Sequence, residues 1–202
     1  TLIFSIMHMV NFAHGELYML GGFGLFAFYE SWGLPYIPTL ILSMVMVTVG
    51  GLLIYRLIFK PLRLNFLAAV LASLGIGLVI QNIASFVFGD KDKGVHTVVS
   101  GVINVSGVYL TWDYMVVALG GSALAVFLVL FIRYTKPGRA LRSVSEDREA
   151  ASLQGINVGS MDALGFAIAS ALAAAAGGLM SPLVAINPYM GGTPMLKGFI
   201  VI

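Results

Sequence analysis

"YMVVALGGSALAVFLVLFIR", residues 114–133, is twenty residues long and apolar almost throughout. A helix of roughly 20 apolar residues, rising about 1.5 Å per residue, spans the ~30 Å hydrocarbon core of a bilayer. Arg133, at its very end, carries the stretch's only charge. A transmembrane strand would instead alternate apolar and polar side chains over about ten residues, which this run does not. Comparable runs lie at 17–30, 37–56, 66–88 and 161–181, with an incomplete one beginning near Met195 and the tail of another at 1–10. The pattern predicts an all-α, polytopic transmembrane helical bundle. Gly21, Gly22 and Gly24 interrupt the 17–30 run, which is short for a full crossing and is expected to be tilted or broken.

Composition agrees. The 202 residues are 59% hydrophobic and 10% charged, against roughly 45–50% apolar and 25% charged in soluble domains. A net charge of +2, with the basic residues in short loops, lacks the basic face that nucleic acid requires. The chain has no cysteine, which excludes a disulfide frame and thiolate chemistry. H-E-x-x-H, G-x-S-x-G and G-x-x-x-x-G-K-[ST] are all missing, so neither an enzyme nor a bound cofactor is expected. Asp90 and Asp92 alternate with Lys91 and Lys93, which weakens a metal-diphosphate reading of that pair. Thr1 leads directly into apolar residues and "LKGFIVI" stops within an apolar run. The expectation is one transmembrane domain over 1–202, truncated at both ends.

Orientation follows from Lys and Arg beside the spans. Arg56, Lys60 and Arg63 follow the 37–56 run, and Arg133, Lys136, Arg139, Arg142 and Arg148 follow the 114–133 run. Both loops are therefore expected in the cytoplasm. The intervening segment, 89–113, alternates Val-rich stretches with Gly-Val turns and suggests a small external hairpin.

The longest polar interval, about 134–160, opens with a turn signal at Pro137-Gly138. Ser143-Val144-Ser145-Glu146 fits a capping box and Gly155 a helix stop, predicting a short helix over about 144–154. Val144, Ala151 and Leu153 would supply its apolar side, while Glu146, Asp147, Arg148 and Glu149 would stay wet. A solvated connector is the alternative.

"MVNFAHGELYML", residues 9–20, sets Asn11, His14 and Glu16 in apolar surroundings. A charge at mid-bilayer costs about 2.5–3.5 kcal/mol on insertion scales, so Glu16 must lie near an interface, find a partner or face a cavity. His14 is a candidate partner, and Gly15 permits non-helical backbone. Two readings stand: a cytoplasmic turn between spans, or a discontinuous helix whose free N-terminus lines a transport path. Gln81 and Asn82 are read either as interhelical glue or as site residues, with Asn82 the pathway candidate. "INPYMGGTP", 186–194, loses helix continuity at Asn187-Pro188, Gly191-Gly192 and Pro194; it is an external loop or a re-entrant segment. Ala163, Ala167, Ala171 and Ala175, with Ser170, Ala174 and Gly178 alongside, suit close helix packing.

Several of these stretches carry a family resemblance. "EAASLQG", 149–155, resembles the EAA-x-x-x-G loop of ABC importer permeases, which docks into a groove of the ATPase. The Ile and Leu-Pro step that usually follow are not seen after Gly155. "MVNFAHGELYMLGGF" (9–23), "FKPLR" (59–63), "LGIGLVIQN" (74–82), "GRALRSVSEDREAASLQGINV" (138–158) and "INPYMGGTPMLKGF" (186–199) are similar, in order, to the LivH-type inner-membrane permeases of branched-chain amino acid ABC importers. The resemblance implies the ABC importer permease type of bundle, without the family's first and last helices. Its implied partners are a second related permease, two cytoplasmic ATPase subunits, a periplasmic substrate-binding protein and membrane lipid. It implies ATPase docking through Glu149, Ala150 and Gly155, flanked by Arg139, Arg142, Glu146 and Arg148. Asn11, His14, Gly15, Glu16, Asn82 and Asn187 are the candidate pathway residues. Urea or short-chain amides are the alternative cargo, and a passive channel is the rival mechanism.

Overall fold

The structure is a computed structural model that describes residues 11–62, 65–96, 101–105 and 108–200. The expected tail at 1–10 and Arg63 lie outside the described residues.

Helix α1 (His14–Leu25) runs on as a π-helical stretch, Phe26–Ser31. Pro35 then starts α2 (Tyr36–Ile54), which continues through a π-helical turn, Tyr55–Phe59, to Lys60–Leu62. Asn65 caps α3 (Phe66–Phe88) by accepting from the Ala68 amide at 3.2 Å. The predicted hairpin is present as antiparallel β1 (Val102–Val105) and β2 (Val108–Thr111). It leads into α4 (Trp112–Tyr134), α5 (Lys136–Glu146), α6 (Arg148–Leu153), α7 (Val158–Met180) and α8 (Gly192–Ile200). Four helices among the described residues are long and apolar enough to cross a membrane: Tyr36–Leu62, Phe66–Phe88, Trp112–Tyr134 and Val158–Met180. The bundle is all-α and polytopic, with the hairpin as an appendage.

The expected 17–30 span is instead a helix starting at His14 and held in the interior, with Leu17, Met19, Phe23 and Leu25 buried. It packs between α2 and α7, where small residues permit close approach. Gly21 lies against the Ala174 backbone, Gly177 against the Tyr18 carbonyl, and the Ser43 hydroxyl donates to the Gly21 carbonyl at 2.9 Å. The buried seam of α7 is Phe166, Ser170, Ala174 and Gly178, with Ala169 and Ala173 beside it. Ala163, Ala167 and Ala171 are only half-buried. Side chains at i+4 share a face, and of the expected small residues Ser170, Ala174, Ala175 and Gly178 are the ones that pack.

Two polar ends frame the bundle. At the basic end, Tyr55, Phe59, Leu141, Val144, Ala151 and Phe166 share one apolar cluster, so the loop after α2 and the 134–160 interval lie together. At the opposite end, Lys93 and Ile186 pair their backbones, the Asn187 amide donates to Asp92 at 3.0 Å, and His96 meets Glu30 at 2.9 Å.

The 134–160 interval departs from expectation. Thr135 accepts from the Gly138 amide at 3.0 Å and Pro137 stands in the first turn, so α5 begins at once instead of turning at Pro137-Gly138. Proline suits that position because the first amides of a helix lack intrahelical partners. Ser143 thus falls inside α5 and its hydroxyl donates to the Arg139 carbonyl at 3.2 Å; it caps nothing. The second start is at Asp147, whose carboxylate accepts from the Glu149 and Ala150 amides, each at 2.9 Å.

Candidate functional site

Residues 11–16 lie deep inside the bundle. The Phe12 amide donates to the Ser73 hydroxyl at 3.1 Å, and the Gln81 amide donates to Glu16 Oε1 at 2.7 Å. A methyl group on Gly77 would stand 3.7 Å from Glu16 Cγ and 4.0 Å from the Ala13 Cα. Gly77 is the middle residue of α3, so the start of α1 sits about 17 Å from either end of that helix at 1.5 Å per residue. Half-depth, rather than a turn at the basic end, is where Asn11, His14 and Glu16 are found.

A second chain break reaches the same level. From Ile186, tied to Lys93 at the far end, the backbone runs inward to Gly191, one residue before α8. A methyl on Gly15 would lie 2.6 Å from the Gly191 carbonyl oxygen, and one on Gly191 would collide with the Gly15 carbonyl. Only glycine at both positions allows this backbone contact. The 186–194 stretch is therefore re-entrant, and two helix N-termini, those of α1 and α8, converge inside the bundle. Most amides at these starts are already engaged, Ala13 on Asn11 Oδ1, His14 on the Asn11 carbonyl and Gly192 on the Tyr189 carbonyl, and the aligned peptide dipoles behind them leave partial positive charge there.

Around this convergence three polar atoms are buried without a hydrogen-bond partner among the described residues: Asn11 Nδ2, His14 Nδ1 and Glu16 Oε2. Asn11 is 6% and Glu16 5% exposed. The Asn11 carbonyl oxygen Oδ1 is used locally, accepting from the Ala13 amide at 3.0 Å. Glu16 pairs with Gln81 and not, as expected, with His14. One open carboxylate oxygen and one open amide donor thus stand near two helix starts, an arrangement able to meet a group bearing both signs of charge.

Asn82 and Asn187 do not join them. The Asn82 amide donates to the Leu78 carbonyl at 2.7 Å on the outer face of α3, and Asn187 engages Asp92 at the far end. Gln81 takes the place expected of Asn82, because adjacent helical residues point about 100° apart. Ser73 was not singled out from sequence; a hydroxyl in an apolar helix is its only signal.

At the basic end, Glu149, Ala150 and Gly155 are exposed, together with Arg139, Arg142 and Glu146. Arg142 and Glu146 pair with each other at 2.9 Å, one turn apart on α5. Gly155, at φ +81°, ends α6 in the left-handed conformation, and the Ile156 amide donates back to the Ala151 carbonyl at 3.1 Å. Leu153, expected on the apolar side, is 88% exposed, whereas Ala151, Leu141 and Val144 are buried. Arg148 departs from its wet assignment: its guanidinium donates to Asp162 Oδ2 at 2.5 Å.

The whole chain, residues 1–202, matches the family described as branched-chain amino acid transport system / permease component. The chain is 32% identical to the high-affinity branched-chain amino acid transport system permease protein LivH of Escherichia coli (strain K12), over 98% of this chain and 70% of that relative. It is 31% identical to LivH of Salmonella typhimurium and, likewise, to BraD of Pseudomonas aeruginosa, a permease protein of the same description, with the same coverage. No solved structure matches.

Proposed function

Because the chain belongs to the branched-chain amino acid transport system permease family, and is thus a multi-pass transport protein of the inner membrane and not an enzyme, we propose that it is the membrane subunit of an ATP-driven importer for leucine, isoleucine and valine. In this reading two ATPases engage the basic end, a second permease completes the path, and a binding protein delivers substrate at the far end. Transport proceeds by alternating access, with no covalent chemistry in this subunit.

The observation that carries the reading is the polar cluster at half-depth. Irregular backbone and unpartnered polar atoms are tolerated at membrane depth where they face a pathway or protein, and broken helices meeting at the midplane are how many transporters hold charged cargo. Glu16 Oε2 offers an acceptor for an ammonium group, while the α1 and α8 starts favour a carboxylate. The exposed Glu149–Gly155 face, ended by the left-handed Gly155, supports ATPase docking. Residues 134–160 then act as the docking loop of a single membrane domain.

Uptake of radiolabelled leucine and urea into proteoliposomes holding the complete transporter, with and without ATP, tests the proposal. ATP-dependent leucine uptake is expected. ATP-dependent uptake of urea alone would reassign the cargo, and flux without ATP would contradict the coupled mechanism.

A further inference from the structure

Asp162 is the least expected charge in the molecule. It lies in the second turn of α7, is 2% exposed, and borders the apolar cluster of Tyr55, Phe59, Leu141, Val144, Ala151 and Phe166. Its Oδ2 receives the Arg148 guanidinium at 2.5 Å, and its Oδ1 has no hydrogen-bond partner among the described residues. A buried carboxylate held in this way depends on its cation, because removing one partner leaves an uncompensated charge.

Arg148 is equally unusual. It is the first residue of α6, the end of a helix at which a cation is disfavoured. The helix therefore gains nothing from its charge. Glu149 and Ala150, which follow directly, belong to the exposed face, while the Arg148 side chain turns inward across the 154–157 link to α7. α6 is only six residues long and contributes a single buried side chain, Ala151. Apolar packing alone is a weak hold on so short an element.

We propose that the Arg148–Asp162 ion pair is the latch that makes α6 and α7 move as one body, so that displacement of the exposed α6 face reaches the half-depth cluster. From Asp162 the route follows α7 along Phe166, Ser170, Ala174 and Gly178 to α1, whose first turn contains Glu16. Arg148 and Asp162 are positioning residues: neither touches substrate. The inference rests on the docking reading of α6 given above.

The test uses the complete transporter in proteoliposomes and reads leucine moved per ATP hydrolysed, alongside the amount of assembled complex. R148Q together with D162N removes both charges, with the Asp162 shape kept and a shorter polar side chain in place of Arg148, so no buried charge is stranded. It is expected to assemble normally, hydrolyse ATP, and lose about tenfold in coupling, the scale of a contacting pair. Arg148→Asp alone loses coupling at least as severely, and adding Asp162→Arg recovers most of it. Normal coupling in the neutral double variant, or failure of the swap to recover it, overturns the latch. Glu149→Arg separates this from the docking reading: if it leaves coupled uptake intact, docking through α6 is wrong and the latch falls with it. If Glu149→Arg uncouples and the neutral pair does not, the latch alone falls.

Discussion

Glu16 has one carboxylate oxygen held by Gln81 and the other open, so variants of the two partners can separate a folding role from the proposed transport role. Glu16→Gln retains an oxygen able to accept from Gln81, so the complex is expected to assemble with little change in thermal stability. The loss of charge should lower leucine uptake severalfold or more. Gln81→Leu does the reverse: it strands a buried carboxylate, at a cost of about 1–3 kcal/mol, and should reduce stability and uptake together. Size-exclusion yield and melting of the solubilised complex, measured beside uptake, check both. Equal losses of yield and uptake in Glu16→Gln would assign the residue a structural role. Asn11, His14 and Glu16 were legible in the sequence because polar residues in an apolar run must be accounted for, and Gly15 because it permits non-helical backbone between them. Gln81 was not distinguished from Asn82, since composition cannot say which of two neighbouring amides faces α1.

At the scale of elements, α6 stands on Asp147. Its carboxylate holds two amides of the first turn, and Asp147→Ala should cost about 1 kcal/mol locally. Because the spanning helices do not depend on that cap, membrane insertion should persist while coupled uptake and substrate-stimulated ATP hydrolysis fall. Unchanged coupling in a stably assembled Asp147→Ala transporter would show that α6 need not be preformed. The stop at Gly155 could be read in advance, since a left-handed C-terminus selects glycine. The start could not: Ser143, Thr135 and Asp147 are all acceptable caps. Thr135 takes α5 because it follows α4 immediately and has Pro137 behind it, which draws Ser143 into that helix's interior and leaves the start of α6 to Asp147. The α7 seam shows the same limit, as small residues occupy several of its faces and packing against α1 selects one.

For the molecule as a whole, hydropathy sufficed for the four long spans, and the Lys and Arg positions beside them for the grouping of the basic loops at one end. It did not give depth. α1 looks like a short span, yet it begins where α3 is half traversed, and α8 begins beside it, because Gly15 and Gly191 let two backbones touch inside the bundle. The central claim is that this convergence lies on the transport path. The chain has no cysteine, so His14→Cys introduces one thiol into this subunit at the cluster. The measurement is its modification by a charged, water-soluble methanethiosulfonate in the assembled transporter, with and without ATP and leucine, in a variant that still transports. Labelling is expected to accelerate during ATP turnover and to slow when leucine is present. A thiol that stays unlabelled in every state while leucine uptake continues would contradict it.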